Sequence, residues 1–177
     1  MALLKESDLR TYVTKSFAKN ESYSCESIGS DRFDIFLSHS YLDQDIILGL
    51  KRYLEEKGLS VYIDWIDDNQ LERDSVNEDT AETLRKRMQQ CEALLFATSS
   101  NSSTSKWMPW ECGYFDGING KIAILPISKV DESSFKGQEY LGLYPYIDVF
   151  SSVIWVNGTK SGFCNIKDWL NGKSPNS

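Results

Sequence analysis

The sequence holds one histidine, His39, and four cysteines, Cys25, Cys91, Cys112 and Cys164, with no CxxC pair among them. Structural zinc sites and disulfide frameworks both depend on closely spaced or paired ligands, so neither has its usual pattern here, and no metal is expected. Uncharged apolar runs of 18 residues are also missing, and Met1–Leu4 is followed at once by Lys5. Neither a membrane span nor a signal peptide is expected, which makes a reducing cytoplasm the natural setting. The Asn-x-Ser/Thr matches at Asn20, Asn101 and Asn157 then carry no meaning for glycosylation. Basic residues are in deficit, 19 Lys and Arg against 26 Asp and Glu, a formal charge of -7. That balance argues against a surface that tracks a nucleic-acid backbone. There is no G-x-S-x-G elbow, no phosphate-cradling glycine loop and no H-E-x-x-H.

What is present suits one globular α/β domain: 177 residues, 41% hydrophobic and 25% charged, enough for a sizeable core. Its organising stretch is Asp31–Asp43, DRFDIFLSHSYLD. Phe33, Ile35, Phe36 and Leu37 are too apolar for a half-exposed edge and too few for a helix, so they read as a strand buried on both faces. Ser38, His39 and Ser40 then stand at its carboxyl end, where open parallel sheets bind ligands. An acidic chain can still hold a dinucleotide there, because pyrophosphate can be bound by backbone N–H groups.

Upstream, Leu3, Leu4, Leu9, Tyr12, Val13 and Phe17 fit an amphipathic helix outside the sheet. It is expected to cover the domain's own surface, with an oligomer or partner contact as the alternative. Residues 1–30 thus read as helix and linker, the polar Asn20–Ser30 being the linker, and 31–177 as the main domain. Downstream, Asp43 is placed to cap a helix with the stripe Ile46, Ile47, Leu50 and Leu54, ended by Gly58. Ser60–Ile63 reads as a second strand. An acidic loop follows from Asp64 to Glu78, with Trp65, Ile66, Leu71 and Val76 isolated in it, and long loops after strands are usually functional. A helix from Asp79 or Thr80 carries Ala81, Leu84, Met88 and Cys91; Ala93–Ala97 is a third strand, and Thr98–Ser105 a Ser/Asn loop.

Pro109 lacks an N–H, so the next helix must begin between about Ser105 and Met108, putting Glu111 near its positive end. Gly120 ends that helix. Lys121–Ile127 is a fourth strand, Phe135–Tyr146 a short helix or turn set, Val153–Val156 a fifth strand and Ile166–Leu170 a terminal helix. This alternation predicts a flavodoxin-like, doubly wound, five-stranded parallel sheet with helices on both faces.

The most specific motif is Trp107-Met108-Pro109-Trp110-Glu111, a W-x-x-x-E at the start of the helix after the third strand. Together with the order F-D-I-F-L-S-H-S, V-Y-I-D, A-L-L-F-A-T-S and I-A-I-L-P-I, it resembles TIR domains that cleave NAD, from about Asp31 to Leu170. The resemblance implies that NAD is a substrate, not a bound cofactor, and that Glu111 is catalytic. A carboxylate beside the ribose can stabilise the oxocarbenium-like charge left by departing nicotinamide, as in glycoside cleavage. Trp107 and Trp110 offer flat faces to a base, with one of them expected in the core. His39 and Ser38 are candidates to line the nucleotide pocket. Asp64 ends the second strand at the same edge, and Trp65 opens what would be the BB loop, which meets substrate and neighbouring subunits.

The same resemblance, to small TIR proteins of antiphage systems such as Thoeris, implies self-association and a linear or cyclic ADP-ribose product that activates a separate effector. Two rivals remain open: a non-enzymatic TIR interaction or mimicry module, and a nucleoside 2-deoxyribosyltransferase-like enzyme. The plainer reading of Glu111 is a carboxylate interacting with free N–H groups at a helix start. Asp64, Asp67 and Asp68 lack the spacing and glycine of an EF-hand and read as solvated charge. A Cys112–His39 dyad reads as packing.

Overall fold

A computed structural model describes residues 2–18, 32–68, 77–132, 135 and 139–176. The expected linker Asn20–Ser30, Cys25, Asp31, and Leu71 and Val76 of the acidic loop lie outside the described residues. Helices α2 (Gln44–Glu56), α4 (Glu78–Gln89) and α5 (Trp107–Ile118) alternate with strands β2 (Phe33–Ser38), β3 (Val61–Tyr62), β4 (Cys91–Thr98), β5 (Ile122–Ser128) and β6 (Tyr146–Phe150). These five strands run parallel in the order β3-β2-β4-β5-β6. Relabelled by sequence this is 2-1-3-4-5, the flavodoxin-like order, whose reversal falls between β2 and β4.

The fifth parallel strand is not the one expected. Val153–Val156 belongs to β7 (Val153–Asn157), which runs antiparallel to β6 and is followed by an antiparallel β8 (Phe163–Asn165). The parallel role falls to Tyr146–Phe150, which the sequence pattern left at the edge of a turn set. Its run carries a single acidic residue, Asp148, among apolar and aromatic ones, and Ser151 and Ser152 turn the chain back at positive φ (50° and 61°). A tight reversal of this kind joins antiparallel neighbours without a crossover helix. The terminal helix α6 (Ile166–Leu170) falls where expected, capped by Asn165, whose side chain accepts from the Asp168 N–H.

The apolar patterns sort the core into two layers. Ile46, Ile47, Leu50 and Leu54 of α2 are all buried against one face of the sheet, with Ile35, Leu37, Ala93, Leu95 and Leu125. On the other face Phe36, Leu94 and Phe96 meet Leu84 and Met88 of α4 and Met108, Cys112 and Phe115 of α5. Each fully buried side chain of this size is worth about 1.5–3 kcal/mol of transfer free energy. Gly58, at φ 77°, ends α2 with its N–H on Glu55 O at 2.8 Å. Only glycine adopts that conformation without steric cost.

The amino-terminal stretch divides differently from the expected single helix. Leu4 and Lys5 form β1 (Leu4–Lys5), pairing in parallel with Ile127 and Ser128 of β5, and the helix α1 starts only at Glu6 (Glu6–Ala18). This segment therefore enters the same sheet. Helix α1 packs on α2 at Gly49, where an added Cβ would stand 2.0 Å from Leu9 O, and Tyr12 meets Tyr53 edge-on at 5.4 Å. Among the described residues, no helix is long and apolar enough to cross a membrane.

Candidate functional site

Ser38 ends β2, and Phe96 of β4 is its register partner, so both sit at the carboxyl edge of the sheet where the strand order reverses. Period-two alternation places Ser38 on the face of Phe36, the face covered by α5. Helix α5 starts at Trp107, within the expected bounds, which puts Glu111 one turn along it and facing the sheet. The Ser38 hydroxyl donates to Glu111 Oε2 at 2.6 Å, and both side chains are fully buried. A carboxylate held this way is a short, charge-assisted acceptor. Glu111 is thus buried between the helix and the end of β2. Trp107 and Trp110 are both half-buried, in edge contact at 5.4 Å; the core position expected for one of them is taken by Met108.

His39 is also fully buried. Its Nε2 accepts from the Trp65 indole N–H at 2.9 Å, which places the ring proton on Nδ1, 2.8 Å from Leu37 O. The imidazole is therefore neutral, and the 3.9 Å approach of Asp64 Oδ1 to Nε2 is not an ion pair. Asp64, Trp65 and His39 form one cluster; Ser38 and Glu111 form the adjoining pair. His39 is consumed by Leu37 and Trp65, and burial pushes the Cys112 thiol up to about 11, so the pair has no thiolate chemistry at neutral pH.

The acidic loop begins as a single turn, α3 (Asp64–Asp67), in which Asp67, and Asp68 just after it, find donors. Asp67 accepts from the Ile63 N–H at 2.7 Å and lies 3.5 Å from the buried Lys51 Nζ, which also donates to Val61 O. Asp68 takes two bonds from Arg87, both 2.7 Å, and one from Tyr62 Oη at 2.7 Å. Burial raises the Asp68 pKa, but these bonds outweigh it and hold the carboxyl below its ordinary value. The loop charges expected to be solvated are therefore partly structural.

Asp43 departs from its expected role. It occupies the position before α2 but makes no capping bond; its buried carboxylate accepts from Ser99 Oγ at 2.5 Å and Asn101 Nδ2 at 2.6 Å. It ties the start of α2 to the loop after β4. The cap of α4 was likewise not anticipated: Asn77 accepts from the Thr80 N–H at 2.7 Å. No local pattern marks the Asp43 contacts, which join residues 56 and 58 positions apart. The serine-rich composition of 98–105 was the one visible hint.

That loop lines a cleft of about 540 Å³ with Phe96, Pro109 and the short helix η3 (Glu139–Leu143). The described lining includes neither Glu111 nor Ser38, nor His39, Asp64, Trp65 or Trp107. A second hollow, about 510 Å³, opens at the opposite, amino-terminal edge of the strands beside Arg32, Asp34 and Lys121.

The TIR domain profile matches residues 35–160. Over 190 aligned residues, 96% of this chain and 98% of the relative, the sequence is 45% identical to a Bacillus cereus (strain MSX-D12) protein named probable 3' cyclic ADP-D-ribose synthase ThsB'. It is also 35% identical over 83 residues, 46% of this chain and 22% of the relative, to the putative cyclic ADP-D-ribose synthase TIR2 of Cytobacillus dafuensis. With a flavodoxin-like sheet, W-x-x-x-E at the start of α5 and a full-length relative at this identity, the chain belongs to the TIR domain family.

Proposed function

We infer that this protein breaks the nicotinamide–ribose bond of NAD and closes the remaining ADP-ribose into a cyclic signal. The observation that carries the reading is the buried Ser38–Glu111 pair at the strand reversal, in a chain 45% identical over nearly its whole length to a protein named probable 3' cyclic ADP-D-ribose synthase. Nicotinamide leaves with the bonding electrons, and positive charge develops on the ribose. Glu111 supplies the opposing charge, and Ser38 holds its carboxylate in one orientation so that little reorganisation is needed as that charge appears. A hydroxyl of the adenosine-side ribose then attacks the ribose carbon and loses its proton; water in its place gives linear ADP-ribose. The cyclic outcome is preferred here on the relative's name and identity.

Glu111 has no solvent contact in this conformation, so NAD reaches it only when the packing over α5 opens. Self-association between copies is the proposed trigger, with Trp65 on His39 part of the packing that must yield. The product would act on a separate effector, placing the protein in antiphage defence.

The test is nicotinamide release from NAD by protein clustered at high concentration, with product identity read by chromatography. Glu111→Gln, which keeps size and an acceptor for Ser38, should reduce turnover by about a hundredfold or more, the scale of losing one preorganised electrostatic group. Turnover retained in Glu111→Gln would overturn the catalytic assignment.

A further inference from the structure

Asp43 is a buried carboxylate that takes no part in the bond cleavage. It is the buried residue of the short helix η1 (Tyr41–Asp43), whose other two side chains, Tyr41 and Leu42, are exposed, and it makes no capping bond to α2. Taking a carboxylate out of water is costly unless donors replace the solvent. Ser99 Oγ and Asn101 Nδ2 replace it here, at the 2.5 and 2.6 Å of short, charge-assisted bonds. Since η1 is not held by apolar packing, these bonds are what fix it.

The partner loop is held in the same way. No residue from 99 to 105 is buried, so the loop takes its shape from polar bonds. From Asp43 they lead step by step to the first turn of α5. Ser99 Oγ accepts from the Asn101 N–H at 3.0 Å, Asn101 O from the Thr104 N–H at 3.1 Å, and Ser102 O from the Ser105 N–H at 3.2 Å. Ser105 Oγ then accepts from the Met108 N–H at 3.3 Å. Glu111 follows on the same helix.

The exit turn of β2 is therefore tied to the β4–α5 connection twice, by Ser38 on Glu111 at one end and by Asp43 on Ser99 and Asn101 at the other. One hydrogen bond fixes a distance but leaves rotation about it, and a second tether several residues away removes that rotation. Between the tethers the turn is braced: Ser40 O accepts from the Asp43 N–H at 3.0 Å and Ser40 Oγ from the Leu42 N–H at 3.4 Å. Met108, Cys112 and Phe115 hold α5 in the core through apolar contacts. Such contacts are non-directional, so they set the depth of the helix rather than its rotation.

We propose that Asp43 is a positioning residue for Glu111: through Ser99 and Asn101 it holds the loop that leads into α5, and so keeps the Glu111 carboxylate aimed at the end of β2. This role rests on the NAD reading above and adds to it the group that orients Glu111 from outside the reacting atoms.

Two measurements on the full chain test it. In the clustered nicotinamide-release assay, Asp43→Ala should lower kcat about tenfold, within what a misplacement of about 1 Å costs, and leave KM within about twofold of wild type. Asp43→Asn, which keeps an acceptor for the loop, should recover most of that loss. Asn101→Ala should lower kcat by itself and add nothing to Asp43→Ala. Gly49→Ala, destabilised at the α1–α2 contact, should keep the wild-type kcat per folded molecule, so lost stability alone does not mimic the effect. The second measurement needs no turnover: the urea-unfolding coupling between Ser38→Ala and Glu111→Gln should fall by about half or more when Asp43→Ala is also present. If Asp43→Ala loses its fold by circular dichroism, Asn101→Ala, at a half-buried position, replaces it in both measurements. Unchanged kcat per folded molecule, a raised KM alone, or an undiminished coupling would each overturn the positioning role. Diminished coupling in a protein that releases no nicotinamide would retain Asp43 as the group that orients Glu111 and remove the NAD reading. Nicotinamide release with undiminished coupling would remove only the role of Asp43.

Discussion

Ser38→Ala isolates the interaction on which the site rests. The hydroxyl donates at 2.6 Å to a carboxylate with no access to water, and alanine removes the donor without inserting bulk. A hydrogen bond to a charged group contributes about 1.5–3 kcal/mol, and no solvent is available to replace it. For a chain of this length 1 kcal/mol shifts the melting temperature by about 2–4 °C, so the variant should melt about 3–12 °C lower. Glu111→Gln keeps an acceptor and should lose less, because a neutral bond contributes about 1 kcal/mol. The informative measurement is a double-mutant cycle by urea unfolding, whose coupling term for Ser38→Ala and Glu111→Gln should exceed about 0.5 kcal/mol. Strict additivity, or a Ser38→Ala loss below that figure, would show that the pair carries no energy and that Glu111 is oriented by other contacts.

Gly49→Ala would push a methyl group to 2.0 Å from Leu9 O, a backbone atom that moves only if α1 moves, so it should destabilise by about 1–3 kcal/mol; an unchanged melting temperature would refute the close approach of α1 and α2. Asp148 of β6 is buried, neither carboxylate oxygen has a hydrogen-bond partner among the described residues, and burial raises its pKa, an effect the nearby Asn157 amide only partly offsets. Because its folded pKa lies above the unfolded value of 3.8, the native state binds more protons between the two, and stability falls as pH rises through that window. Asp148→Asn should therefore stabilise the protein at neutral pH, by about 1–3 kcal/mol, and flatten the decline; a variant less stable than wild type at pH 7 would contradict this.

Much of the scaffold was legible in short-range pattern. The run Phe33–Leu37, the α2 stripe and the terminal helix Ile166–Leu170 all appear where periodicity puts them, because a buried strand and an amphipathic helix leave their signatures within a few residues. The constraint imposed by Pro109 bounded the start of α5 for the same reason. Expectations failed where a distant partner decides. Tyr146–Phe150 is a parallel strand because β5 has a free edge beside it at Ile124, and Leu4–Lys5 is a strand because the same β5 is open to it at Ile127 and Ser128. Asp43 was read as a cap from its place before α2, yet its buried carboxylate takes donors that the fold brings from the loop after β4.

The site divides along the same line. Sequence alone determined that a W-x-x-x-E would open the helix after the β4 strand and that Ser38 and His39 would stand at the end of β2, since composition and spacing are local properties of the chain. Tertiary structure decided that Ser38 reaches Glu111, that Trp65 locks His39 into its neutral tautomer, and that the serine-rich loop and η3 enclose a cleft. Each of these depends on how residues many positions apart meet across a sheet, and hydrogen-bond geometry within a few tenths of an ångström is set by that packing rather than by sequence neighbours.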